Sequence, residues 1–269
     1  MSRISETFQQ LQAHGRTALM PYLTIGYPEK SSTTALVPAV IESGADMLEL
    51  GAPFSDPLAD GATIQESTQR ALANGISLRY CFSTTRQLRQ QGIETPFALM
   101  GYYNPIYQIG LDGFAAAAEE AGIDGVIVPD LPPEEAGGLD EALRRRGIDY
   151  IYLLAPTSDE RRLRLVAAKA RGFIYLVSLT GVTGVRSTVS EELPDFVKRV
   201  REATEDTIPL AVGFGISSPK TAREVGTLVE GVIVGSALIE RISDPTTAET
   251  EARAFVRSLR DALDQGADS

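Results

Sequence analysis

Eight short apolar runs, each followed by a segment of helical period, fill most of the chain, and this alternation restricts the fold more than any other property of the sequence. The runs lie at 18–25, 47–50, 97–100, 126–128, 150–154, 173–178, 210–212 and 232–234. They are continuously apolar, as expected of strands buried on both faces and joined by parallel crossovers. Helical spacing covers 33–42, 63–73, 77–90, 113–121, 133–145, 158–170, 190–203, 217–225, 237–241 and 247–264. Eight such units in 269 residues fit an α/β fold of the (β/α)8 TIM-barrel kind better than an open doubly wound sheet. Ahead of the first run, Ile4, Phe8 and Leu11 recur at helical spacing and predict an extra N-terminal helix over 3–13 that closes one end of the barrel. No composition shift or flexible linker divides the chain, so one domain over 1–269 is expected.

Composition narrows the partners. With 43% hydrophobic and 23% charged residues, the chain can bury a full core. Its formal net charge is -11, and no run of Lys or Arg forms a nucleic-acid footprint, so nucleic acid is not an expected partner. The single cysteine, Cys81, excludes an internal disulfide and a thiolate metal cluster, fits a cytosolic setting, and reads as a small buried hydrophobe. No segment is long and apolar enough to cross a bilayer, and the N-terminus lacks a basic stretch followed by an apolar region. A cytoplasmic protein without a membrane partner is expected.

In a barrel of this kind, active sites lie where strands end and βα loops begin. The second run carries one carboxylate, Glu49, and leads into a loop punctuated by Gly51, Pro53 and Pro57 that ends in a second acid, Asp60. Burial disfavours the charged form, so Glu49 should titrate above an exposed glutamate, which suits a group that gives and takes a proton. Asp60 sits where a loop held by proline and glycine can aim it over the strand end. A structural reading of the same residues has Glu49 ion-paired and Asp56 and Asp60 capping turns or the helix near Ala62. Three acids in a rigid loop directly after a strand favour a site.

The last two strand ends supply Gly213, Gly215, Gly235 and Ser236, where loops after the seventh and eighth strands commonly bind phosphate through backbone N–H groups. Tyr22, Leu99, Tyr102, Ile127, Leu153, Tyr175, Phe214 and Ile233 fall at or near strand ends and suit a flat apolar ligand. None of the four lysines, Lys30, Lys169, Lys198 and Lys220, lies on a strand end, which argues against a Schiff base. The only histidine, His14, precedes the first strand and reads as a surface or cap residue, so no metal site is expected and carboxylates are left for acid–base work.

The motif Glu49-Leu-Gly-Ala-Pro-Phe-Ser-Asp-Pro-Leu-Ala-Asp-Gly61, with Thr180-Gly-Val-Thr-Gly184 and Gly213-Phe-Gly-Ile-Ser217, resembles the α subunit of tryptophan synthase. The order of elements is similar to that family from the N-terminal helix to about residue 265. The resemblance implies retro-aldol cleavage of indole-3-glycerol phosphate to indole and glyceraldehyde 3-phosphate, with no cofactor in this subunit. It also implies a β subunit partner, dependent on pyridoxal phosphate to join indole to serine, in an α2β2 heterotetramer. By the same resemblance Glu49 is the proton shuttle, Asp60 binds the indole N–H, and Thr183 meets Asp60 on loop closure. Gly184, Gly213, Gly215, Gly235 and Ser236 match the phosphate loops, and Tyr22, Tyr102, Tyr175 and Phe214 the indole pocket. Asp56, Pro57, Asn104 and Pro105 match loops facing the β subunit. The chain departs from many members at Ala52, Gly101 and Leu179, where larger aliphatic, side-chain-bearing and arginine residues are common.

Two other readings are compatible with the residues alone. One is a regulatory binding subunit that activates a partner enzyme; the intact acids and phosphate loops favour catalysis over it. The other is a different phosphate-binding barrel enzyme, such as a sugar-phosphate isomerase, against which the aromatic pocket and the acidic motif argue.

Overall fold

The computed structural model describes residues 2–177, 192–213 and 215–265. The chain opens with α1 (Arg3–Ala13), β1 (Ala18–Thr24), α2 (Ser32–Glu42), β2 (Leu48–Gly51), α3 (Ala62–Ala73), α4 (Leu78–Gln90) and β3 (Phe97–Met100). It continues through α5 (Tyr103–Ile109), α6 (Leu111–Glu120), β4 (Gly125–Ile127), α7 (Gly137–Arg144), β5 (Asp149–Ile151), β6 (Leu153–Leu154) and α8 (Glu160–Ala167). β7 (Ile174–Val177), α9 (Leu193–Thr204), β8 (Leu210–Gly213), α10 (Pro219–Gly226), β9 (Gly231–Val234), α11 (Ser236–Arg241) and α12 (Ala248–Asp264) follow.

All strand pairs are parallel, in the order β5-β4-β3-β2-β1-β9-β8-β7-β6. The fifth run, expected as one strand over 150–154, is split at Tyr152. Its first half pairs with β4 and its second half with β7, while the Tyr175 N–H donates to the Tyr152 carbonyl at 2.9 Å. Eight staves therefore ring the barrel, as the alternation predicted.

Side chains alternate across each strand, so parity sorts them into two cores. Leu19, Leu23, Leu48, Leu50, Leu99, Val126, Ile174, Leu176, Val212 and Val232 face the helices. Met20, Met47, Ala98, Ile127, Ile151, Phe173, Tyr175, Ala211 and Ile233 fill the barrel interior. Glu49 shares parity with Met47 and so points inward. α1 plugs the lower end of this interior: Ile4, Phe8 and Leu11 join the inner cluster, and the Phe8 and Phe173 rings lie 5.7 Å apart. Asp46, the acid at the start of the β2 motif, is used structurally. It accepts the Leu19 N–H at 2.8 Å and pairs with the buried Arg260 at 3.0 Å.

Two local expectations change. The sequence predicts the first helix after β3 over 113–121, yet α5 precedes it and α6 already starts at Leu111. Pro105 falls in the first turn of α5, where its missing N–H removes no helical bond, and a remote carboxylate, Asp130, accepts the Tyr103 N–H at 2.9 Å. The helix expected over 133–145 begins only at Gly137, because 133–136 form turns that follow Pro132 and Pro133 around the barrel rim.

Candidate active site

The strands converge on a cavity of about 640 Å³ at their C-terminal ends, lined by residues from most of the staves. Tyr22 enters from β1, Glu49 from β2 and Asp60 from the following loop; Met100, Ile127, Leu153, Tyr175 and Ile233 form the apolar walls. Gly215, Ile216, Ser217, Gly235, Ser236 and Ala237 supply the opposite rim. Two carboxylates, an aromatic wall and a polar rim thus share one space.

Glu49 is buried at 3% exposure, between Tyr22 of β1 and Ala98 of β3 in the parallel register. The small Ala98 leaves room for the carboxyl group. Its Oε2 has no hydrogen-bond partner among the described residues, and no described cation pairs with it, so the structural ion-pair reading has no counterpart there. Burial, with a smaller contribution from the Asp60 charge, pushes Glu49 up to about 8.

Asp60 ends a loop without regular structure, just before Gly61, the N-cap of α3. Its carboxylate makes no cap to that helix. The backbone is pinned instead: the Gln65 Nε2 donates to the Asp60 carbonyl at 2.8 Å, and the Asp60 N–H donates to Pro57 at 3.1 Å. Burial raises Asp60 to about 6, while the neighbouring Tyr102 hydroxyl pulls in the opposite direction. The two acids thus differ in proton affinity, Glu49 the weaker acid and Asp60 the stronger.

Tyr102 does not line the cavity. Its hydroxyl oxygen accepts the Ala59 N–H at 3.1 Å, and its ring stacks on Phe54 at 5.2 Å. Gly213 is likewise withdrawn from the cavity wall, because the Tyr175 phenol lies across it; a Cβ there would fall 2.0 Å from the phenol oxygen. Gly215 reaches the rim with φ +78, in the left-handed region that glycine adopts at least cost. Ser236 opens α11, whose first turn leaves backbone N–H groups without helical acceptors. Thr183, Gly184, Phe214 and Leu179 lie outside the described residues.

Sequence reasoning placed Leu99 in the pocket, but parity turns it toward the helices and gives Met100 the inward position. It missed Tyr150 and Tyr152, which reach the cavity where the fifth stave breaks, and Arg162, which lines the cavity and binds Glu134 through Nε at 2.9 Å and Nη2 at 3.3 Å. Among the described residues, no three His, Cys, Asp or Glu side chains gather as a metal site. His14 caps α1 at the surface, its Nδ1 2.7 Å from the Gln10 carbonyl oxygen. Cys81 is buried and free.

A sequence profile described as tryptophan synthase alpha chain matches residues 8–266. The chain belongs to the tryptophan synthase alpha chain family. A tryptophan synthase alpha chain from Roseiflexus sp. (strain RS-1) is 55% identical over 262 residues, covering 97% of this chain and 100% of the relative. One from Geobacter sulfurreducens is 50% identical, covering 98% and 99%. The crystal structure of tryptophan synthase subunit alpha from Legionella pneumophila str. Paris superposes with TM-score 0.91 at 40% identity, covering 98% of this chain and 99% of that one. A chain of Mycobacterium tuberculosis tryptophan synthase in its aminoacrylate-bound form superposes with TM-score 0.87 at 34% identity, covering 98% and 100%. The tryptophan synthase alpha family thus spans nearly the whole length of the barrel described above.

Proposed function

We propose that Glu49 and Asp60 carry out the acid–base chemistry of this family. As a tryptophan synthase alpha chain, the protein is a carbon–carbon lyase of tryptophan biosynthesis that cleaves indole-3-glycerol phosphate and works with a β subunit. The single observation that supports the residue assignment is the pair of carboxyl groups, Glu49 buried and Asp60 half-buried, from one βα connection, facing one cavity with split proton affinities.

Near neutral pH Glu49, held at about 8, is mostly protonated, and Asp60, at about 6, is mostly ionised. That is the order the cleavage needs. Glu49 gives its proton to C3 of the indole ring, and the ring becomes an indolenine whose positive nitrogen is stabilised by the Asp60 carboxylate. The bond from C3 to the glycerol chain then breaks and its electron pair returns to the ring. The glycerol hydroxyl gives its proton back to Glu49 as its oxygen forms the aldehyde carbonyl, so protons and electrons balance within the site.

Tyr22 and Tyr175, with Phe214, flank the indole ring in this reading, and Tyr102 supports it from behind. Gly215, Gly235 and Ser236, with Gly184, hold the phosphate, while Gly213 shapes that rim by seating Tyr175. Thr183 meets Asp60 when the site closes. Leu58, Tyr107 and Ile109 are the large apolar side chains most exposed among the described residues, at 92%, 64% and 47%. They lie on the same two segments as Asp56, Pro57, Asn104 and Pro105, which supports placing the β subunit contact of an α2β2 assembly there. No described helix is long and apolar enough to cross a membrane, and we place this one-domain enzyme in the cytoplasm.

The test is steady-state cleavage of indole-3-glycerol phosphate by the purified protein and by Glu49→Gln. A loss of about 10²-fold or more is expected on removing a general acid; equal rates would remove the proposed proton shuttle.

A further inference from the structure

We propose that the Tyr22 hydroxyl donates a hydrogen bond to a hydroxyl oxygen of the substrate's glycerol chain, and that Thr24 and Ser67 are the positioning residues that turn its proton toward the cavity. The inference deepens the reading of the site above and rests on it.

Three buried hydroxyl groups form one chain, Ser67 from α3 and Thr24 and Tyr22 from β1. The Thr24 Oγ1 donates to the Tyr22 phenol oxygen at 3.2 Å and lies 2.7 Å from the Ser67 Oγ. Each hydroxyl has one proton. With the Thr24 proton on Tyr22, the contact between Thr24 and Ser67 is carried by the Ser67 proton, which is shared with the Ile64 carbonyl at 2.8 Å. The chain therefore runs from Ser67 through Thr24 to Tyr22, and each donation polarises the next. At its end the phenol oxygen has already accepted, so its own proton is left to donate, and no described residue takes it. Burial pushes the Tyr22 hydroxyl upward, so that proton stays in place through the neutral range.

The placement of the ring decides what that proton can reach. Tyr22 pairs with Glu49 in the parallel register, and both line the cavity. At one end of Tyr22, its Cβ and Cδ1 come within 3.7 and 3.9 Å of where a Cβ on Gly235 would stand, at the rim read above as the phosphate site. At the other end its phenol oxygen covers Gly51, whose carbonyl is occupied by the Ile25 N–H at 2.9 Å. The ring thus spans from the phosphate rim to the strand that carries Glu49. Between a phosphate on that rim and a ring carbon at Glu49 lies the glycerol chain of the substrate, and its hydroxyl oxygens are the acceptors there. A buried donor left unpaired is costly, so the site discriminates against a ligand that lacks those oxygens.

The experiment compares wild type, Tyr22→Phe, Thr24→Val, Thr24→Ser and Glu49→Gln on two ligands. One reading is steady-state cleavage of indole-3-glycerol phosphate. The other is calorimetric binding of indole-3-propanol phosphate, which keeps the ring and the phosphate but has no chain hydroxyl. Tyr22→Phe and Thr24→Val should each lower kcat/KM roughly three- to tenfold, the loss of one hydrogen bond between uncharged groups, and leave the Kd of the propanol phosphate unchanged. Thr24→Ser keeps the hydroxyl and should retain wild-type values on both ligands. Wild-type kcat/KM in Tyr22→Phe or in Thr24→Val, or an equal weakening of both ligands, would overturn the proposal and leave the three hydroxyls as packing. Full cleavage by Glu49→Gln would instead bring down the reading of the site on which the proposal rests.

Discussion

The phenol of Tyr22 lies across Gly51 so closely that a Cβ on that glycine would fall 2.1 Å from the phenol oxygen and 2.6 Å from Cζ. Tyr22 pairs with Glu49 in the register, so the glycine it covers is two residues further along the neighbouring strand. Tyr175 repeats the arrangement: it pairs with Ala211 and covers Gly213. Two rings that line the cavity are thereby seated, each made possible by a missing side chain next door. Gly51→Ala should force Tyr22 off the wall into the cavity, with a loss of about 1–3 kcal/mol typical of overpacking and a raised KM. Adding Tyr22→Leu to Gly51→Ala should recover most of that stability. A double-mutant cycle by denaturant unfolding measures the coupling; additive losses would show that the two sites do not press on each other.

The two acids predict a bell-shaped kcat/KM profile. The free enzyme needs Asp60 ionised and Glu49 protonated, so activity should fall below about 6 and above about 8. The Asp60 charge is one cause of the high Glu49 value, so Asp60→Asn should move any residual basic limb to lower pH. A basic limb that stays in place in Asp60→Asn would show that burial alone sets Glu49.

Stability carries the same signature with a definite sign. Glu49 is raised from 4.5 to about 8 in the folded chain, so the native state binds more protons than the unfolded state between those values. The contribution of Glu49 to stability is therefore complete below 4.5 and is lost as pH rises through about 8. Glu49→Gln does not titrate. Its Tm advantage over wild type should widen across that window and level off above it, reaching on the order of a few kcal/mol in unfolding free energy. A constant Tm difference from pH 5 to pH 9 would mean that the folded Glu49 titrates like an exposed one.

The barrel was legible in the sequence because buried parallel strands leave continuous apolar runs, and the N-terminal plug because Ile4, Phe8 and Leu11 keep one helical face. Glu49 was legible for a related reason: a carboxylate inside such a run stands out. What escaped depends on contacts between distant segments. Met100 replaces Leu99 in the cavity because strand parity is set by pairing with β2 and β4, which a run of four apolar residues does not reveal. The helix α5 escaped because its cap comes from Asp130, 27 positions beyond Tyr103. Tyr102 could be placed near the site, but its hold on Ala59 and Phe54 is visible only once β3 lies beside the β2 loop.

The plug at the lower end makes its own prediction. Phe8 is 3% exposed and packs on Phe173 inside the barrel, far from the cavity mouth. Phe8→Ala should cost about 3–5 kcal/mol of unfolding free energy, the usual penalty for emptying a buried aromatic site. Urea unfolding measures it, and kcat at a temperature well below the transition should change little, since Phe8 itself does not line the cavity. A loss below 1 kcal/mol would show that α1 is an ornament on a self-sufficient barrel.

Leu58 and Tyr107 separate partner binding from chemistry. Leu58 is almost fully exposed on the loop that leads to Asp60, and Tyr107 is exposed on α5, with its ring 5.8 Å from that of Tyr103. Neither side chain lines the cavity. Burying a leucine side chain contributes about 1.5–3 kcal/mol, so Leu58→Ser and Tyr107→Ser should each weaken β subunit binding by roughly tenfold or more. Calorimetric titration with the β subunit reads the affinity, and cleavage of indole-3-glycerol phosphate by the isolated chain reads the chemistry. Unchanged affinity in both variants would move the β subunit contact to another face of the barrel, whereas weakened affinity with intact cleavage by the isolated chain would fix it to the rim formed by the β2 loop and α5.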